Sequence, residues 1–313
     1  MILLRALALS SMFTKGNTDE VRAAIERGLS LAENLNDRTH QLELLAGLNI
    51  FLTRIGDFHG ALAVAERANA VAQVSNNAAG LVATEWMLGV SHHLAGNQSA
   101  AQRHCERGTI QAVELGALNP NCFGYDHRIR ALVALACAPW LRGHAGHALR
   151  TTQQTIDEAA ARGQPVSVCI SLIYSAPVFL WTGDLDHAAS LVDRLIECAE
   201  RHALAPYRAV GVGLKGAIAV ASGQAEVGLE LLREALALHS EQHNILLTVF
   251  AGALTQGLLK TGQIDEALLT INGAIGRAVG FGATFHIAEL LRLKAEGARG
   301  RPTKRTARLS WIA

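Results

Sequence analysis

Along this chain, apolar residues at helical spacing are interrupted at regular intervals by a glycine and a polar residue. The pairs are Gly16-Asn17, Gly56-Asp57, Gly96-Asn97, Gly143-His144, Gly183-Asp184, Gly223-Gln224 and Gly262-Gln263, at spacings of 40, 40, 47, 40, 40 and 39 residues. Five positions after each glycine comes Val21, Ala61, Ala101, Ala148, Ala188, Gly228 or Ala267. Seven positions before it, small residues recur again at Gly89, Ala136, Ala176 and Gly216. A glycine takes the left-handed conformation that ends a helix at no steric cost. Asn or Asp at the next position, present in four of the seven copies, caps the following helix. The small residues let the two helices approach closely. Each unit therefore reads as two antiparallel helices, A then B, joined by a tight turn. Ala61, Val64, Ala65 and Ala68 give the apolar stripe of one B helix.

Pro165 and Pro206 suit the first turn of A helices. The 47-residue interval places an extra loop around Leu118-Asn119-Pro120-Asn121, before Asp126 as a helix cap. The pattern predicts an all-α solenoid of seven A–B pairs plus a terminal helix near 282–297, fifteen helices in one domain over 1–298. Residues 299–313 carry Arg299, Arg301, Lys304, Arg305 and Arg308 with no acid, and are expected to be a disordered basic tail.

Composition agrees with a helical reading: half of the 313 residues are hydrophobic but only 5% are aromatic. A formal net charge of +1 gives no global field favouring nucleic acid or an anionic membrane. The segment Gly163–Gly183 is uncharged over 21 residues, yet it holds Pro165, Pro177 and three serines and occupies one slot of the repeat. It reads as a core helix, and no membrane partner is expected. The start, Met1-Ile2-Leu3-Leu4-Arg5, reads as the first helix. Five cysteines without a C-x-x-C read as buried reduced thiols in a cytoplasmic protein.

The repeat resembles the tetratricopeptide repeat, with a longer period and so longer helices. The stretches Trp86-Met87-Leu88-Gly89-Val90-Ser91, Asp126-His127-Arg128-Ile129-Arg130 and Glu289-Leu290-Leu291-Arg292-Leu293-Lys294 resemble the C-terminal repeat domain of a bacterial family of transcriptional regulators. Those regulators join a winged-helix domain, a P-loop ATPase of the signal-transduction type and a helical-repeat domain. The likeness spans residues 1 to about 298 and implies a sensor role. There is no G-x-x-x-x-G-K-[ST] here and nothing like a winged helix, so the family's ATPase and DNA-binding residues have no counterparts. By this likeness the chain is a detached or truncated sensor part.

Candidate chemistry is sparse. Gly211-Val212-Gly213-Leu214-Lys215-Gly216 matches G-x-G-x-x-G, but dinucleotide binding requires a strand before it and a helix opening at it. Here it falls inside the A helix begun near Pro206, with Gly216 in the small-residue slot, and reads as helix packing. His92-His93, His104 and His144 with His147 lack a third ligand, so no metal and no cofactor is expected. There is no H-E-x-x-H and no G-x-S-x-G, and the chain reads as no enzyme.

In tetratricopeptide-like superhelices the A helices line the concave face. Phase relative to the turn glycines places Glu43, Trp86, His93, Arg130, Cys137, Trp140, Ile173 and Gln256 on or near that face. The ligand-binding candidates are Glu43, Trp86, His93, Arg130, Trp140 and Gln256. The competing reading is that longer helices pack these side chains into core. The partner would be a peptide, a protein domain or a small ligand in the groove, with no direct nucleic-acid binding. Ile287, Leu290 and Leu291 form an apolar stripe on the last helix, which lacks a B partner, and predict self-association through that end. Two alternatives remain: a nucleotide-using enzyme through Gly211–Gly216, and a truncated fragment without independent function.

Overall fold

The computed structural model describes residues 2–14, 16–116, 121–122, 125–239 and 246–300. These form seven helical hairpins and a last helix. In chain order they are α1 (Ile2–Thr14), α2 (Asp19–Asn34), α3 (Arg38–Ile55), α4 (Phe58–Val74), α5 (Ala78–Leu94), α6 (Gln98–Glu114), α7 (His127–Leu141), α8 (Ala145–Arg162), α9 (Pro165–Thr182), α10 (Leu185–Arg201), α11 (Ala205–Ala221), α12 (Ala225–His239), α13 (Leu247–Lys260), α14 (Ile264–Phe281) and α15 (Ile287–Gly300). The odd-numbered members α1 to α13 are the A helices. The long α6–α7 connection carries a two-residue antiparallel ladder, β1 (Asn121–Cys122) with β2 (Tyr125–Asp126), which touches α3 and α9.

All seven turn glycines adopt φ between +77° and +93°. Asp57, Asn97 and Asp184 cap α4, α6 and α10 by accepting the amides of Gly60, Ala100 and His187. The first copy departs from the pattern: Thr18, not Asn17, caps α2. The small residues do close the hairpins. A methyl group on Gly216 would lie 3.1 Å from the Gly228 carbonyl oxygen and 2.9 Å from Leu232 Cγ. Gly89 meets Ala101 and Cys105 of the next helix in the same way.

Helices α3, α5, α7 and α9 are buried on most faces, whereas the B helices bury one stripe each. That explains why α9 has the length and apolar composition of a membrane span while 61% of it is buried inside the protein. Gly211, Gly213 and Gly216 lie within α11. A methyl group at the first would meet Ile196 Cγ1 at 2.6 Å and at the second Phe250 Cζ at 2.5 Å. The glycine motif is thus packed against side chains on α10, α12 and α13, in the middle of a helix.

The superhelix curls until its end meets its third hairpin. A single 3-10 turn, Thr284–His286, precedes α15. Thr284 Oγ1 donates to the carbonyl of Ala95 (2.6 Å), and the Phe285 ring lies 5.6 Å from that of His93. One core cluster accordingly mixes Phe58, Val82 and Leu94 with Ile271, Ala274 and Leu290. The last helix starts later than 282 and turns its stripe differently from the sequence reading: Leu290 and Leu293 are buried, and Leu291 is exposed. Arg299 belongs to the last turn of α15, and the remainder of the basic tail lies outside the described residues.

Candidate functional site

The inner face holds a cavity enclosing about 740 Å³ of empty space, open solvent at its mouth included. Five successive A helices build it. Ile50, Thr53 and Arg54 come from α3, and Val90, His93 and Leu94 from α5. Helix α7 adds Arg130, Val133 and Ala134, and α9 adds Ile170, Ile173 and Tyr174. Pro206, Tyr207 and Val210 of α11 and Leu246, just before α13, complete it. The positions follow the repeat. Thr53 and Arg54 stand to Gly56 as His93 and Leu94 stand to Gly96. Arg130, Val133 and Ala134 stand to Gly143 as Ile170, Ile173 and Tyr174 stand to Gly183. The cavity therefore crosses the A helices diagonally, near the C-termini of α3 and α5, the middle of α7 and α9, and the start of α11.

Its walls are apolar, with a few polar groups. His93 is buried, and burial lowers its pKa, which keeps the imidazole neutral. Gln98 Nε2 donates to the His93 carbonyl (3.1 Å), so Gln98 Oε1 accepts from His93 Nδ1 (2.8 Å) and Nε2 is left as the ring's acceptor. Arg130, 7% exposed, sits with Nη1 3.5 Å from Asn49 Oδ1. Asn49 is itself fixed by donating to the Ala61 carbonyl (2.7 Å) and to Ser91 Oγ (3.0 Å). The Arg54 guanidinium lies 5.7 Å from the Tyr207 ring centre, within cation–π range. Thr53 Oγ1 is buried without a hydrogen-bond partner among the described residues. Such a group carries a desolvation cost of about 1–3 kcal/mol until something satisfies it.

Of the candidate residues read from the sequence, His93 and Arg130 meet in this cavity, and Ile173 joins them. The others lie elsewhere. Trp86 is core: its indole fills the space above Gly108 of α6, where a methyl group would come within 2.7 Å of Cδ1 and Nε1. The cavity crosses α5 about two turns closer to its C-terminus. Trp140 stacks on Trp181 (6.2 Å between ring centres) in a separate cluster with Val178 and Ala148. Glu43 pairs with Arg5 of α1. Gln256 is half-buried on α13 and does not line the cavity. Cys137 is buried, which pushes its thiol up to about 12, with Sγ 4.0 Å from the Tyr174 carbonyl. Thr53, Arg54, Tyr174 and Tyr207 were missed, although the repeat phase of His93 pointed to Thr53, three positions before its turn glycine. Among the described residues no group of three His, Cys, Asp or Glu side chains could hold a metal ion.

No protein-family model and no curated protein matches the chain. Solved structures do. NprR in complex with its cognate peptide NprX is 14% identical with a TM-score of 0.64, over 100% of this chain and 88% of that one. A Rap protein complexed with the competence and sporulation factor is 12% identical with a TM-score of 0.58, over 96% of this chain and 88% of that one. At these identities the likeness is one of fold. The chain is an all-α solenoid of the tetratricopeptide-like kind, whose inner face holds an apolar cavity with a small set of buried polar groups.

Proposed function

We propose that the chain is a non-catalytic interaction or sensor module that takes a short peptide segment into the cavity of its concave face. The observation that carries this reading is the buried Thr53 hydroxyl, which has no partner among the described residues and lines a largely apolar cavity on the inner face. A peptide supplies what the walls call for: apolar side chains against Ile50, Val133, Ile170 and Val210, and backbone amides for Thr53 and the His93 acceptor nitrogen. The fold it shares with NprR and Rap, solved with a peptide and with the competence and sporulation factor, supports the same choice. The resemblance to winged-helix ATPase regulators makes control of such a regulator, in the cytoplasm, the output of binding. The reading involves no catalytic step.

Selection of a displayed random heptapeptide library on the purified chain tests it. Enriched peptides should bind by fluorescence polarisation, and Thr53→Val and Val133→Trp should each weaken them at least tenfold while helicity is retained. Peptides that bind both variants as well as the parent chain would place binding outside the cavity.

A further inference from the structure

Two of the five cysteines are brought together by the fold. Cys169 lies in the first half of α9 and Cys198 near the end of α10, with the Gly183 turn midway between them, so the antiparallel helices set them opposite each other. Cys198 Sγ is 3.9 Å from the carbonyl oxygen of Pro165, one helical turn before Cys169. Both thiols are free. Their environments differ. Cys169 is fully buried, whereas Cys198 is half-buried in a shallow depression that it shares with Pro165, Arg194, Glu197, Arg201 and His202. Cys105 and Cys137 are both buried.

From this arrangement we infer that Cys169 and Cys198 form a dithiol–disulfide switch, oxidised by hydroperoxides, that ties α10 to α9. Cys198 reacts first because the depression admits the oxidant. Its thiolate attacks one peroxide oxygen: an S–O bond forms and the O–O bond breaks. The departing oxygen takes up the proton that Cys198 gave up and leaves as water or an alcohol. The sulfur of Cys169 then attacks the Cys198 sulfenic acid. An S–S bond forms, the S–O bond breaks, and hydroxide leaves as water with the Cys169 proton. Two electrons pass from the thiols to the peroxide. Burial, with Cys198 beside it, holds the Cys169 thiol far above its ordinary range. Cys169 therefore stays protonated and does not attack peroxide; it resolves the sulfenic acid only as its proton passes to the departing hydroxide. The small residues Ala176, Ala188 and Ala199 are buried in this hairpin, where α9 and α10 pack directly on each other. The switch stands independently of the peptide reading, although Ile170, next to Cys169, lines the cavity.

The test uses the full chain, reduced and then treated with a small excess of hydrogen peroxide. The thiols counted after denaturation should fall from five by two, and the chain should lose the mass of two hydrogens. A tryptic digest should link the Cys169 and Cys198 peptides within one chain, reversibly with dithiothreitol. Cys198→Ser should form no disulfide. Cys169→Ala, with its helicity checked, should accumulate a sulfenic acid on Cys198 that dimedone captures. Should that variant fail to fold, the digest of the parent chain and the Cys198→Ser result still decide. Retention of all five thiols, or a link from Cys198 to another cysteine or another chain, would overturn the inference.

Discussion

Replacing Gly213 by alanine separates helix packing from nucleotide binding at the one glycine-rich motif in the chain. A methyl group there would lie 2.5, 2.6 and 2.8 Å from Cζ, Cε2 and Cε1 of Phe250, whose ring is wholly buried. Ordinary carbon contacts are near 3.5–4.0 Å, so the ring must shift by about 1 Å in a close-packed site. Overpacking of this kind costs about 1–3 kcal/mol. Alanine in place of glycine within a helix returns about 1 kcal/mol. The net effect of Gly213→Ala should be a loss of up to about 2 kcal/mol. Phe250→Leu removes the ring atoms that the methyl group meets and should alone cost roughly 1–1.5 kcal/mol as a large-to-small change. In the double variant the two changes compensate, and the loss should fall short of the sum by about 1–2 kcal/mol. Urea unfolding followed by circular dichroism gives the four midpoints. Equal slopes would license their comparison, since repeat arrays can lose cooperativity. Additivity within about 0.5 kcal/mol would show that Gly213 does not pack on Phe250 and would refute the reasoning.

Three further outcomes follow from particular sites. Ala203 takes φ +53° in the turn after α10, so Ala203→Gly should raise stability by about 1 kcal/mol in the same urea assay; a loss would show that the turn is not left-handed. Asp126, almost fully buried, caps α7 through the Ile129 amide (3.2 Å) and accepts from Arg162 (2.6 Å). Asp126→Ala should cost roughly 2–3 kcal/mol and Asp126→Asn less, because asparagine keeps the cap; equal losses would discount the cap. His93 and His286 are held by burial below the usual histidine pKa, so the folded state binds fewer protons than the unfolded chain. The stability this contributes is complete above the unfolded value of about 6.5 and declines as pH falls below it. The urea midpoint should therefore drop between pH 7 and 5.5, less steeply in His93→Gln, and a flat profile would contradict the assignment.

Local signals determined the architecture. A left-handed glycine, a capping side chain and a small residue one turn later act within a few residues of one another. Their 40-residue recurrence therefore revealed seven hairpins without any tertiary information. The turns that join one hairpin to the next were harder to see, because Asn36, Asn76 and Ala203 take the left-handed conformation there without being glycine. His93, Arg130 and Ile173 were legible as groove residues because repeat phase is preserved along the chain. Which turn of each A helix faces the groove was not, because the superhelix shifts the groove along successive helices. Thr53 lines it while Trp86 does not. Nor could sequence show that the last hairpins return to the third, where Thr284 reaches Ala95 across 189 residues. Small rotations between neighbouring hairpins add up over the whole solenoid. Only the assembled packing sets their sum, and that sum decides which buried polar groups meet in the cavity.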